Sequence, residues 1–135
     1  MSLTDSFSNV NLLAVLVAGI AHMATGLVWF MPKIFGNAWA GLTGAELKPA
    51  TRWLGAGAIG HLTIALVLAV LVNLANASTV LGGIVVGALA WIGFVVTLEV
   101  GELIWEKIPF KLFLLRIGNH LVALCLAGAI LAVWR

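Results

Sequence analysis

The sequence predicts an all-α integral membrane protein, a bundle of four transmembrane helices with a short interfacial segment in the first loop. Apolar residues make up 63% of the 135-residue chain and charged residues 9%, whereas a soluble domain carries about 25% charged residues. Four apolar stretches are each long enough to cross about 30 Å of hydrocarbon. They show no strand-like alternation, and a helix satisfies its own backbone groups in lipid, so each stretch is predicted to be a helix.

The predicted helices cover residues 10–31, 53–73, 80–105 and 111–134, and the chain length predicts one transmembrane domain, 1–135. In the first connection, Ile34, Phe35 and Trp39 predict a short helix on the membrane surface. The second connection is short and uncharged. Pro109 marks the third, because proline cannot continue the hydrogen-bond ladder of a helix.

The basic residues predict the orientation. Six of the seven border the first and third connections, and Arg135 alone lies on the other side. The six are Lys33, Lys48, Arg52, Lys107, Lys111 and Arg116. Because positive charge stays on the cytoplasmic side, we expect these two connections in the cytoplasm and both termini outside. The net charge of +2 is small and scattered, so no nucleic-acid partner is expected.

Each predicted helix carries one ionisable residue at a matched depth: His22, His61, Glu99 and His120. Each lies about 8 to 10 residues from the basic end of its helix, which is roughly 12 to 15 Å into the bilayer. Ionisable groups at that depth are costly and need a partner, a cavity or a function. Nearer the basic end, Glu102 and Arg116 match in depth and predict a buried ion pair.

Three hypotheses account for this layer. Neutral histidines bonded to Thr25, Asn119 or Glu99 would join helices in a structural or accessory protein with no substrate. Histidines that exchange protons near neutral pH would instead form the ion or proton path of a small transporter or channel, which is the leading functional hypothesis. In the third, His22, His61, Glu99 and His120 bind a divalent metal such as zinc or iron, with haem as a variant.

Nothing in the sequence predicts an enzyme that works without a metal. The chain has no nucleophile–base set, phosphate-binding loop or dinucleotide fingerprint, so no catalytic residue is assigned. No cofactor is the main expectation, with the divalent metal as the alternative. Four short helices leave little room for a solute path, so a homo-oligomer is expected. Gly83 and Gly87 would serve either close packing within the chain or a seam between copies.

Several motifs resemble the DUF1761 family of small bacterial membrane proteins. They are Asn11-Leu-Leu-Ala14, Gly26-Leu-Val-Trp29-Phe30-Met-Pro32, Phe35-Gly36-Asn-Ala-Trp39, Trp91-Ile-Gly93-Phe94 and the turn Pro109-Phe-Lys111. The resemblance covers most of the chain. It implies four transmembrane helices in a bacterial inner (cell) membrane, and it implies no activity.

The motif around the first loop also has a physical interpretation. Pro32 is expected to end the first helix just past the interface, and Gly36 to allow a tight turn. Phe35 and Trp39, four residues apart, would then share a face and anchor in the headgroup region together with Trp29. We interpret these five residues as an interfacial anchor.

Overall fold

The computed structural model describes residues 1–135 and contains helices and no strands. Its six helices are α1 (Leu3–Ser8), α2 (Leu12–Trp29), α3 (Asn37–Thr43), α4 (Leu54–Leu74), α5 (Val80–Trp105) and α6 (Phe110–Val133). The four longest, α2, α4, α5 and α6, are long and apolar enough to cross a membrane. The predicted all-α fold class is confirmed, and the chain is a membrane protein with four apolar helices.

Local chemistry decides where α2 begins and ends. The side chain of Asn11 accepts hydrogen bonds from the amides of Leu13 and Ala14, so the helix starts at Leu12 rather than at residue 10. After α2, Pro32 opens a π-helical turn, Pro32–Gly36, that leads into α3. A Cβ atom at Gly36 would overlap the carbonyl oxygen of Phe30. The φ of Gly36 is −61°, which any residue can adopt. Glycine is therefore needed here because a side chain would collide with the backbone of Phe30, and not because of its backbone conformation.

Helices α5 and α6 pack backbone against backbone. A Cβ atom at Gly83 would overlap the carbonyl oxygen of Gly128, and one at Gly87 would overlap that of Leu124. Only glycine permits this approach, which is how small residues bring membrane helices together. The Gly83–Gly87 pair thus packs α5 against α6 of the same chain.

One apolar cluster joins α2, α4 and α6. Its members are Ala14, Val15, Ala18, Ala65, Leu68, Ala69, Val72, Leu124, Ala127, Leu131 and Ala132. These positions lie in the first half of α2 and the second halves of α4 and α6, away from the two basic loops. The half of the bundle near the termini is therefore closed by packed side chains, and the polar layer lies on the other side of this cluster.

The N-terminal helix α1 docks on the end of α4. Ser6 is completely buried, and the side-chain amide of Asn73 donates to its carbonyl oxygen over 3.1 Å. Ser2 begins α1 with a capping box, in which it and Asp5 exchange side-chain to backbone hydrogen bonds. The hydropathy pattern does not predict this helix.

Candidate functional site

The centre of the polar layer is a contact between two histidines. Nδ1 of His22 on α2 lies 2.8 Å from Nδ1 of His61 on α4, and the ring centroids are 5.0 Å apart. His22 is 3% exposed, while His61 is partly exposed at the side of the bundle. Two ring nitrogens at this distance form a hydrogen bond only if one carries a proton and the other does not. When both rings are neutral, they therefore hold opposite tautomers.

Because the tautomers are opposite, the protonation of Nε2 of His22 is coupled to that of Nε2 of His61. When Nδ1 of His22 donates, Nε2 of His22 is bare and Nε2 of His61 carries a proton. When the central proton belongs to His61, both assignments reverse. Nε2 of His22 is buried without a hydrogen-bond partner. The position of one central proton thus decides whether this atom is a donor or an acceptor.

His120 on α6 joins the pair from a third helix. Its ring centroid lies 6.4 Å from that of His22, and its side chain makes no hydrogen bond within the protein. It also lies within Coulombic range of the carboxylate of Glu99. Thr25, one of the expected partners of the histidines, bonds elsewhere: its hydroxyl donates to the carbonyl of Ala21 over 2.8 Å.

Toward the basic loops, one arginine holds two carboxylates. Arg116 Nη1 forms a hydrogen-bonded ion pair with Glu102 Oε2, and it lies 3.6 Å from Glu99 Oε2. Glu99 Oε2 is buried and accepts no hydrogen bond, so its attraction to Arg116 is Coulombic. Glu99 is therefore paired electrostatically with Arg116, and its buried Oε2 accepts no hydrogen bond from a histidine.

The four proposed metal ligands do not meet at one point. No three His, Cys, Asp or Glu side chains are grouped so that they could hold a metal ion together. His22 and His61 are in contact, His120 is one ring further away, and Glu99 is drawn to Arg116.

A cavity of about 320 Å³ lies beside the histidines, between α4 and α5. Among the residues that line it are His22, His120, Thr63, Val67, Phe94 and Leu124. No lining residue is an acid, a lysine or an arginine. The sequence carries no signal for this cavity, because hydropathy does not report where two helices separate.

A π-helical segment, Trp91–Val96, interrupts α5 next to this cavity. The indole nitrogen of Trp91 donates to the carbonyl of Ile117 over 2.7 Å, three residues before His120. A tryptophan in mid-span needs such a partner, which is the sequence signal that could have placed α5 against α6 here. π-helical segments inside α-helices often occur at functional sites.

The anchor residues pack on the end of α2. The ring of Phe35 packs on that of Trp29 at a tilt of 37° with centroids 4.5 Å apart, and Trp39 contacts Phe30 edge to face with centroids 5.8 Å apart. A Cβ atom at Gly118 would lie 3.0 Å from the Trp29 ring, so α6 leaves room for this indole. The first loop is thus tied to the bundle by aromatic contacts, and its position at the membrane interface stays a prediction.

The comparisons with known proteins identify a family and no activity. The model of a family described as "Protein of unknown function (DUF1761)" matches residues 13–132. No curated protein and no solved structure matches the chain.

Proposed function

The chain belongs to the DUF1761 family, and from the geometry of its buried polar groups we propose that it is a small proton-linked transporter. One observation carries the proposal: the 2.8 Å contact between Nδ1 of His22 and Nδ1 of His61 inside an apolar bundle. Ionisable residues within membrane helices commonly mark ion and proton pathways. Histidine is suited to such a path because it exchanges protons near neutral pH.

The pair of His22 and His61 can pass a proton from one ring to the other without a further residue. A proton arriving at the bare Nε2 of His22 makes that ring a cation. The Nδ1 proton of His22 then passes to Nδ1 of His61, and the Nε2 proton of His61 leaves on the far side. One proton has entered and one has left, and both rings are neutral with their tautomers exchanged. The reverse transfer would return the proton, so a net cycle requires each ring to regain its first tautomer by exchanging protons with water while the contact between the two Nδ1 atoms is broken.

The remaining polar residues would connect this pair to the basic side. Glu102, Arg116 and Glu99 lie in sequence from the basic end toward His120, which adjoins His22. Arg116 compensates the charge of the carboxylates and so lowers the free-energy cost of placing them at this depth. We place the first and third loops in the cytoplasm and both termini outside a bacterial inner membrane, following the positive-inside rule.

The apolar cluster near the termini leaves no continuous polar path through one chain in this conformation. Transport would need a second conformation, as in carriers that expose one site to alternate sides. A second copy of the chain would complete the far side. Beside the partly exposed His61, a Cβ atom at Gly57 or Gly60 would meet open space, so another helix could approach closely there.

A structural role is the second candidate, because the same contact joins α2 to α4. A hydrogen bond between membrane helices stabilises their association by about 0.6 to 2 kcal/mol. In this hypothesis the histidines only specify packing, and the protein carries no substrate. The two functions differ in what should happen when the ability to bind a proton is removed but hydrogen bonding is kept.

Proton flux into liposomes tests the proposal. Purified protein is reconstituted around a pH-sensitive dye, and a potassium diffusion potential drives the protons. We expect His61→Gln and Glu99→Gln to lower the flux at least tenfold while the thermal unfolding midpoint stays near that of the wild type. Glu46→Gln, at an exposed carboxylate in the first loop, is the matched control. Equal flux in wild type, His61→Gln and empty liposomes would support the structural role instead.

A further inference from the structure

The cavity beside the histidines has the features of a ligand site. We propose that it binds a neutral, largely apolar molecule with a single hydroxyl or carbonyl group, which enters sideways from the lipid and bonds to His120. The site rests on the geometry of the cavity. The idea that its ligand is the transported substrate rests on the proposed function.

The walls of the cavity indicate a lateral opening. Val67 on α4 is 51% exposed and Phe94 on α5 is 67% exposed, so both side chains lie at the outer surface of the bundle. Between membrane-spanning helices, that surface faces hydrocarbon. The buried lining residues are His22, Leu68 and Leu124, and the half-buried His120 lines the cavity beside them. A molecule dissolved in the bilayer would therefore meet apolar side chains first and imidazoles last.

The size of the cavity limits the ligand. A volume of about 320 Å³ is at the lower end of the range of roughly 300 to 1,000 Å³ found for small-molecule sites. It suits a compound of one or two rings, or one segment of a longer chain. A whole diacyl lipid does not fit.

The polarity of the cavity limits the ligand further. A phosphate, carboxylate or ammonium group would be buried without an opposite charge, because the lining contains no acid, lysine or arginine. A pure hydrocarbon would leave the imidazole of His120 without a partner, since His120 makes no hydrogen bond within the protein. One neutral polar group answers both constraints. A hydroxyl is well suited because it can donate or accept, whichever nitrogen carries the proton.

Such a ligand would lie beside the proposed proton path, at the point where His120 adjoins His22. Its polar group would contact His120, and the buried Nε2 of His22, which has no partner, is one ring further in. A change of tautomer in the histidine pair would switch Nε2 of His22 between acceptor and donor. A ligand hydroxyl that reached this atom as well as His120 would then couple proton movement to the binding and release of the ligand.

Binding of tritiated 1-naphthol to the protein in lipid nanodiscs tests the site, with naphthalene as the competitor that lacks the hydroxyl. We expect saturable binding with one site per chain and displacement by naphthalene that is at least tenfold weaker than by unlabelled 1-naphthol. Val67→Trp should fill the mouth of the cavity and weaken binding at least tenfold. Val85→Trp on α5, at a residue that is 48% exposed and outside the cavity, is the matched control and should bind like the wild type.

His120→Phe keeps a ring and removes both nitrogens. It should abolish the preference for 1-naphthol over naphthalene while binding of both persists. Uptake equal to that of empty nanodiscs, or saturable binding that Val67→Trp leaves unchanged, would overturn the site. Those results alongside normal proton flux would leave the proposed function intact. Saturable, Val67-dependent binding without any proton flux would keep the site and overturn the transporter.

Discussion

Gly83 on α5 and Gly128 on α6 bring their two backbones so close that a methyl group on either residue would overlap the carbonyl oxygen of the other. Apart from Gly83 and Gly87, α5 has no buried residue. The close approach of α5 to α6 therefore depends on two glycines, and the Trp91–Ile117 hydrogen bond and the Glu102–Arg116 ion pair hold the same two helices together further along.

Gly83→Ala should separate α5 from α6 and lower the free energy of unfolding by about 1 to 3 kcal/mol, the usual cost of overpacking a tight contact. The measurement is reversible unfolding in mixed micelles. Gly101→Ala, on the same helix, is the control because its Cβ atom would meet open space. Alanine favours helices over glycine by about 0.5 to 1 kcal/mol, so the control should be neutral or slightly stabilising. Equal destabilisation by both changes would show that the close contact does not matter.

The depth of the polar residues could be predicted from the sequence, but their grouping could not. Depth follows from counting residues along a helix axis, and the count placed His22, His61, His120 and Glu99 at one level. Contact also requires each helix to have the right rotation, which is decided by packing such as that at Gly83. The structure consequently joins His22 to His61 and draws Glu99 toward Arg116.

Hydropathy likewise predicted the four long helices and missed α1. A window of apolar residues measures transfer into lipid, which is what holds the long helices in a membrane. Six residues cannot form a stable helix by propensity, and α1 depends on its capping box and on the contact between Asn73 and Ser6. Neither feature has a hydropathy signal.

Arg116→Gln should leave two carboxylates without their cation. Removing one partner of a fully buried ion pair costs about 3 to 5 kcal/mol. Because Arg116 and Glu102 are partly exposed, we expect a smaller loss of about 1 to 3 kcal/mol in the free energy of unfolding. Adding Glu102→Gln to Arg116→Gln should recover part of that loss, since one uncompensated charge is removed. A double-mutant cycle on these two residues measures the coupling, and additive losses would contradict the ion pair.

The cap of α1 should depend on acidic pH. The carboxylate of Asp5 accepts hydrogen bonds from the hydroxyl and the backbone amide of Ser2, and these bonds lower the pKa of Asp5 below its ordinary value of 3.8. Because the folded state holds the charged form, this stabilisation is present above pH 3.8 and is lost as the pH falls through the lowered pKa.

Hydrogen exchange of the α1 amides across this pH range measures the loss. The wild type should show a drop in protection on acidification. Asp5→Asn should show lower protection with no such step, because its side chain does not titrate. A step of the same size in the variant would assign the pH dependence to another group.

The opposite tautomers of His22 and His61 can be observed directly by nitrogen-15 NMR of labelled histidine in bilayers. With both rings neutral, one ring should carry its proton on Nδ1 and the other on Nε2, and a through-bond coupling should connect the two Nδ1 atoms, because a proton lies between them. In His61→Gln the coupling must vanish. The tautomer of His22 then depends on the glutamine amide. Nδ1 of His22 carries the proton if it faces the amide oxygen and lacks it if it faces the amide nitrogen.

Two rings with the same tautomer, and no coupling, would mean that no hydrogen bond joins α2 to α4 at this level. The proton step from His22 to His61 would then have no structural basis, whereas the cavity and its contact with His120 would be unaffected.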